Sequence, residues 1–274
     1  MVLFPHAKIN IGLQVVARRP DGFHDINTLF YPLPLCDVLE LIPAEKTALH
    51  LTGLPVDGTA GDNLCMKAYR ILQHDYKLPP VAIHLHKVIP TGGGLGGGSS
   101  DASHTLLALN KLFALQCSEQ QLMDYAARLG SDCAFFIRSK PALAEGRGEI
   151  LHPTEVSLQG YCILLVKPPA QVCTAEAYAN IIPQQPAQPL QTLVNLPVAE
   201  WRGKVCNDFE TGVFAQHPEL AAIKAALYDK GAIYAAMSGS GATVFGLFSD
   251  ENTAQQARRA TNHVIFAAKL FLHY

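Results

Sequence analysis

Six of the seven residues from Gly92 to Gly98 are glycine, broken only by Leu95. Inside regular structure each glycine costs about 0.5–1 kcal/mol of extra backbone entropy relative to alanine, so the run carries roughly 3–6 kcal/mol. A typical folded protein is stable by only about 5–15 kcal/mol. A fold keeps such a run where the backbone itself must approach something closely. The flanks indicate what. Residues 81–88 alternate, Val81, Ile83 and Leu85 opposite Ala82, His84 and His86, which is the period of a half-buried strand. From Ser99 the pattern turns helical, with Leu106, Leu109 and Phe113 at helix spacing and Leu112 beside them. A glycine run between a strand and a helix lets successive N–H groups point at phosphate oxygens, and the helix start adds its positive dipole end. Ser99 or Ser100 then offers a hydroxyl to a phosphate or to Mg2+. A flexible linker explains the run poorly, because the loop is pinned between two regular elements.

The kind of phosphate loop follows from what is missing. The pattern G-x-x-x-x-G-K-[ST] fails, since no lysine follows a suitable glycine. Gly92, Gly94 and Gly97 satisfy G-x-G-x-x-G, but a dinucleotide fold needs a second strand and an acidic residue about 20 positions on. Glu119 lies near that distance in a segment that reads as helix. A dehydrogenase loses on context.

Elsewhere the chain alternates between the two periods. Over residues 7–16, Ile9, Ile11, Leu13 and Val15 share one face and Lys8, Asn10 and Gln14 the other, predicting a half-buried strand. Pro20-Asp21-Gly22 marks a turn. Ser118-Glu119-Gln120-Gln121 has the form of a capping box, opening a helix that stops at Gly130. Cys162–Val166 reads as a buried strand stopped by Pro168-Pro169, residues 181–200 as an irregular Pro- and Gln-rich excursion, 217–230 as helix and Ala242–Phe248 as strand. This mixed order predicts an α+β protein with a division near residue 154.

Composition narrows the partners. The 274 residues are 49% hydrophobic and 16% charged, with a formal net charge of −2, which gives no basic footprint for nucleic acid. Seven scattered cysteines form no C-x-x-C pair and suit a reducing compartment. Pro5, Lys8 and Asn10 interrupt any signal-peptide core, and no apolar run reaches the ~18 residues of a membrane span. The expectation is a soluble cytoplasmic protein with no membrane partner. His84 and His86 share a strand face, but no third ligand is placed, so no metal site is read there.

Pro90-Thr91-Gly92-Gly93-Gly94-Leu95-Gly96-Gly97-Gly98-Ser99-Ser100 resembles the central motif of the GHMP kinases. Ala7-Lys8-Ile9-Asn10-Ile11-Gly12-Leu13, Arg19-Pro20-Asp21-Gly22-Phe23-His24 and Leu129-Gly130-Ser131-Asp132 narrow the likeness. Together they resemble the branch that phosphorylates the 2-hydroxyl of 4-diphosphocytidyl-2-C-methyl-D-erythritol in non-mevalonate isoprenoid precursor synthesis. Asp62-Asn63-Leu64, Gly146-Arg147-Gly148-Glu149, Asn207-Asp208 and Ser238-Gly239-Ser240-Gly241-Ala242 fit as well, so the likeness runs along nearly the whole chain. Three positions depart from it: Phe23 where tyrosine is usual, Cys133-Ala134 where Val-Pro is frequent, and Cys173 where serine is usual.

The resemblance implies a two-lobed α+β fold, with a ribosomal-protein-S5-domain-2-like lobe over 1–154 and a ferredoxin-like lobe over 155–274. It implies ATP and Mg2+, with the metal's side chains unassigned. Lys8 and Asp132 match the family's catalytic pair, Asp132 orienting the acceptor hydroxyl and taking its proton late, Lys8 stabilising developing charge. Pro90, Gly92, Gly93, Gly94, Leu95, Gly96, Gly97, Gly98, Ser99 and Ser100 would hold the nucleotide. Asn10, Phe23, His24, Gly239 and Ser240 would contact the acceptor, Phe23 and His24 at its cytosine, where a ring face suffices for stacking. Asn63 and Asp208 fit a cap or turn as well as a ligand contact. Another GHMP kinase, acting on homoserine, mevalonate or a sugar, stays open at this point, as does a nucleotide-binding protein without catalysis.

Overall fold

The computed structural model describes residues 1–179 and 181–271. In chain order the strands are β1 (Val2–Leu3), β2 (His6–Arg18), β3 (His24–Cys36), β4 (Val38–Pro43), β5 (Ala48–Gly53), β6 (Val81–Lys87), β7 (Ala142–Glu145), β8 (Ile150–Pro153), β9 (Cys162–Val166), β10 (Tyr234–Met237), β11 (Val244–Phe248) and β12 (Val264–Lys269). The helices are α1 (Leu64–Tyr76), α2 (Gly97–Leu112), α3 (Glu119–Leu129), α4 (Phe135–Arg138), α5 (Thr174–Ala179), α6 (Leu190–Val194), α7 (Phe209–Gln216), α8 (Pro218–Asp229) and α9 (Glu251–Arg259).

The chain forms two compact units, and they interleave along the sequence. The first comprises residues 1–8, 32–91 and 96–140, the second residues 9–31, 92–95 and 141–274. Compactness therefore divides β2, β3 and the glycine loop, where a sequential reading makes one cut near 154.

In the first unit a sheet of order β1-β4-β6-β5 is antiparallel except for the parallel β5/β6 pair. Val81, Ile83 and Leu85 of β6 pack with Leu39 and Leu41 of β4 against Leu72 of α1 and Leu106 and Leu109 of α2. The alternation read over 81–88 thus has its physical cause: one face of β6 is core. Helix α3 opens on Ser118, whose hydroxyl accepts from the Gln121 N–H while the Gln121 side chain accepts from the Ser118 N–H. Such reciprocal capping satisfies two of the four unpaired amides of a helix start.

The second unit holds the antiparallel sheet β10-β11-β9-β12. Numbering its strands in chain order gives the 4-1-3-2 arrangement of a ferredoxin-like β-α-β-β-α-β unit, with α8 and α9 as its helices. β9, β10 and β11 are buried along their whole length, as continuous apolar runs such as Cys162–Val166 require. The further sheet β2-β3-β7-β8 corrects one expectation. β2 is not half-buried: Lys8 and Asn10, on its polar face, are each only 3% exposed. The excursion at 181–200 also contains a short helix, α6, because Leu190, Leu193 and Val194 recur at helix spacing and are buried.

Candidate active site

Within the first unit the glycine loop ends by becoming a helix. Gly96 caps α2 with φ +69°, and the first helical bond runs from the Ser100 N–H to the Gly96 carbonyl. The amides of Gly97, Gly98 and Ser99 therefore have no partner within the helix, and no side chain caps them. A 16-residue helix starting this way is an anion site by construction. Glycine is needed at two of these positions for lack of room. A Cβ on Gly96 would lie 2.8 Å from Phe136 Cζ and 3.1 Å from Lys8 Cε, and one on Gly97 2.9 Å from Ile89 Cγ2. The start of α2 is thus pressed against the stem of Lys8.

Lys8 Nζ lies 3.2 Å from Asp132 Oδ2, the lysine side chain 3% and the aspartate 30% exposed. Asp132 sits in the turn between α3 and α4. That turn is fixed by the Cys133 N–H on the Gly130 carbonyl and by the Ser103 hydroxyl of α2 on the Cys133 carbonyl. The partly exposed carboxylate is therefore carried on a fixed turn beside the buried ammonium. Of the two serines at the helix start, Ser100 is fully buried with its Oγ toward His104 Nδ1, while Ser99 is half-buried with its hydroxyl beside Cys133.

A second charged group in this unit escaped the sequence reading. Lys87 Nζ contacts Asp37 Oδ2 and lies 2.6 Å from Asp101 Oδ2, all three residues being buried. Asp37 Oδ1 accepts the N–H groups of Val88 and Ile89 at 2.5 and 2.8 Å, fixing the chain where it leaves β6 for the loop. Burial pushes the Asp101 carboxyl up to about 7 against the pull of the Lys87 ammonium, with Asp37 adding to the rise. Lys87 was legible in principle. It occupies the next inward position after Val81, Ile83 and Leu85, where an alternating strand carries a core residue.

The second unit holds the other half of the glycine loop, Gly92–Leu95. Gly94 has φ +73°, and a Cβ there would fall 2.0 Å from the Ser238 carbonyl oxygen. The Ser238 hydroxyl donates to the Gly94 carbonyl at 2.8 Å and accepts the Asn10 N–H at 3.1 Å, while the Thr243 N–H donates to the Gly93 carbonyl. Residues 238–243 thereby clasp the loop, and Leu95 anchors it at 1% exposure. The clasp is held from behind by Asn207, whose amide donates to the Met237 and Gly239 carbonyls at 2.8 and 2.7 Å. Asn10 Nδ2 donates to Thr28 Oγ1, and a Cβ on Gly239 would meet Asn10 Oδ1 at 3.2 Å. Ser240 Oγ shares a 2.8 Å hydrogen bond with Thr174 Oγ1. Asn63 and Asp208 have structural partners: Asn63 caps α1 through the Cys65 N–H, and Asp208 Oδ2 accepts the Val15 N–H.

Phe23 and His24 follow the turn at Pro20–Gly22, which Arg19 braces through Asp21 and Asp25. Phe23 is half exposed, with the Arg147 guanidinium 4.9 Å from its ring centroid. His24 stacks on Tyr178 with centroids 5.0 Å apart and planes inclined by 24°. Burial, and then the Arg18 charge, hold the His24 imidazole below its ordinary pKa, favouring its neutral form. Arg147 and Tyr178 complete these pairs; Arg147 stood out in the sequence only within Gly146–Glu149 and Tyr178 not at all, because each lies more than a hundred residues from its partner.

A strand-to-helix glycine loop, a helix N-terminus and a lysine–aspartate pair in this fold define a GHMP-type small-molecule kinase. Residues 63–140 match the GHMP kinases N terminal domain and residues 198–264 the GHMP kinases C terminal domain. The chain is 49% identical to a 4-diphosphocytidyl-2-C-methyl-D-erythritol kinase of Bacteroides thetaiotaomicron, covering 98% of this chain and 100% of that one. It is 41% identical to the Solidesulfovibrio magneticus protein of the same name, over 91% and 89% of the two chains. A crystal structure of 4-(cytidine 5'-diphospho)-2C-methyl-D-erythritol kinase superposes with a TM-score of 0.80 at 33% identity, over 95% and 94%. A mevalonate kinase structure shares the fold at 12% identity and a TM-score of 0.72. The chain belongs to the 4-diphosphocytidyl-2-C-methyl-D-erythritol kinase family. Among the described residues no helix is long and apolar enough to cross a membrane.

Proposed function

We propose that this protein transfers the γ-phosphoryl group of ATP to the 2-hydroxyl of 4-diphosphocytidyl-2-C-methyl-D-erythritol. The observation that carries the reading is the Lys8–Asp132 pair at 3.2 Å, with the uncapped start of α2 packed on the lysine stem. Phosphoryl transfer proceeds through a loose transition state, so a protein contributes mainly position and charge. The amides of Gly97–Ser99, together with Pro90 and Gly92–Gly96 ahead of them and Ser100 behind, receive the polyphosphate. Asp132 orients the acceptor hydroxyl and takes its proton late, and Lys8 offsets the charge that develops on the transferring group. Asn10, Gly239 and Ser240 shape the acceptor site. Phe23 and His24, backed by Arg147 and Tyr178, offer ring faces to the cytosine.

The residues present fit Mg2+ as the nucleotide brings it: a hard cation held mostly by phosphates and water needs only one or two protein oxygens. The half-buried Ser99 hydroxyl at the start of α2 would supply one, whereas the buried Asp101 does not. When bound, the ion neutralises phosphate charge. We also propose a cytoplasmic location, supported by seven unpaired cysteines. Sequential lobes of 1–154 and 155–274 complete the reading, the cut falling between the two family matches.

Purified protein with Mg-ATP and a panel of alcohols, read by ADP release, tests the function. At least a hundredfold preference for the cytidyl acceptor is expected. Equal turnover of mevalonate or homoserine would overturn the substrate and leave the kinase class standing.

A further inference from the structure

Lys167, directly after β9, is a partly buried cation whose ammonium is held by main-chain groups. Its Nζ donates to two main-chain carbonyls, Pro168 O at 3.0 Å and Ala170 O at 2.9 Å. No carboxylate pairs with it among the described residues; Lys8 and Lys224 each have one and Lys87 has two. An ammonium withdrawn from water costs free energy that an opposite charge normally offsets, and burial lowers the Lys167 pKa with no opposing charge to raise it. The two carbonyls occupy two of its three N–H groups.

Its neighbour is the glycine loop. A Cβ on Gly93 would lie 3.7 Å from Lys167 Cδ and Cε, so the lysine stem runs beside the loop's backbone within the same unit. Beside Gly93 also stands Thr243, whose N–H holds the Gly93 carbonyl and whose buried Oγ1 has no hydrogen-bond partner among the described residues. A Cβ on Gly93 would lie 2.9 Å from that oxygen. A hydroxyl without a partner and a cation without a counter-ion thus both border Gly93, the composition of an anion site with its anion missing from the protein's own groups.

We infer that Lys167 is a phosphate-binding residue, donating its third N–H to a phosphate oxygen of a diphosphate that lies along Gly93. The inference rests on the kinase reading above, in which both substrates carry diphosphates: the nucleotide and the cytidyl acceptor. The shared chemistry is an ammonium on a phosphate oxygen, and separate titrations tell the two sources apart.

The test uses Lys167→Gln, Lys167→Met and Lys167→Arg in the full chain, each checked for a wild-type melting transition. Gln keeps a donor for the carbonyls and removes the charge; Arg keeps the charge. A charged hydrogen bond to phosphate corresponds to about a 10- to 100-fold change in affinity. The Gln and Met variants should therefore raise KM for ATP or for the acceptor about 10- to 100-fold. kcat should change less than about threefold, and Arg should recover most of the loss. A rise in the ATP titration assigns the contact to the nucleotide, and a rise in the acceptor titration to the cytidyl diphosphate. Folded Gln and Met variants with both KM values within about threefold of wild type would overturn the inference and leave Lys167 a tie between carbonyls. If wild type fails to turn over the cytidyl acceptor, calorimetric titration of the variants with a non-hydrolysable ATP analogue and with cytidine diphosphate decides the matter independently of that failure.

Discussion

The sharpest prediction concerns removing one charge from the Lys8–Asp132 pair. At 3.2 Å the Coulomb attraction is roughly 1 kcal/mol at the dielectric of water and roughly 5 kcal/mol at an effective dielectric of about 20. Asp132 is 30% exposed, so the net contribution to stability is far smaller; Asp132→Asn should cost about 1–2 kcal/mol, below the ~3–5 expected for a fully buried pair. Catalysis should suffer more. Asn has the shape of Asp but accepts no proton, and loss of a positioned base costs about 10²–10⁴ in turnover. ATP affinity should barely change, since the phosphates rest on amides that Asp132 does not anchor. If Lys8 and Asp132 act together on one transferring group, their losses are not additive. The assay is a double-mutant cycle of Lys8→Met and Asp132→Asn, with kcat and KM from ADP release and stability from urea unfolding. The double variant should lose little more than the worse single one. A folded Asp132→Asn protein with near-normal turnover would refute the reasoning, as would losses that multiply.

Three further outcomes follow from the same geometry. Gly94→Ala should destabilise by more than about 2 kcal/mol and abolish tight nucleotide binding, because its Cβ would fall 2.0 Å from a carbonyl oxygen; Gly92→Ala, with open space around it, should cost only about 1–2 kcal/mol of left-handed strain, and urea midpoints in the reverse order would contradict this. The Asp101 carboxyl is raised in the fold from 3.8 to about 7, so between those values the folded state binds more protons than the unfolded one and stability falls as pH rises; Asp101→Asn should remove that slope in melts from pH 4 to pH 7, and an unchanged slope would dismiss the assignment. Tyr178→Ala should raise KM for the cytidyl acceptor about tenfold with KM for ATP unchanged, and Tyr178→Phe should stay near wild type if the ring face is what matters; equal shifts in both KM values would remove Tyr178 from the acceptor site.

Local physics made part of this molecule readable in advance. The capping box at Ser118, the alternation of β6 and the run of β9 are decided by neighbours within a few residues, and each stands where the pattern placed it. The glycine loop was legible for the same reason, although α2 begins at Gly97 inside the run, two residues before Ser99. What depends on distant partners was hidden. Alternation along β2 shows two faces but not that both are covered, so the burial of Lys8 and Asn10 emerges only once the sheets are assembled. Asp37 lies 50 positions from Lys87, and Tyr178 far from His24, with no motif joining them. Asn207 was visible as part of an Asn-Asp pair, yet its hold on the carbonyls of Met237 and Gly239 belongs to tertiary structure alone.

A crystal structure of the ternary complex with a non-hydrolysable ATP analogue and the cytidyl acceptor tests the central claim most directly. The account predicts polyphosphate oxygens on the amides between Gly92 and Ser100 and the acceptor 2-hydroxyl within about 3.2 Å of an Asp132 carboxylate oxygen. Phosphates bound elsewhere, or an acceptor hydroxyl turned away from Asp132 and Lys8, would contradict it.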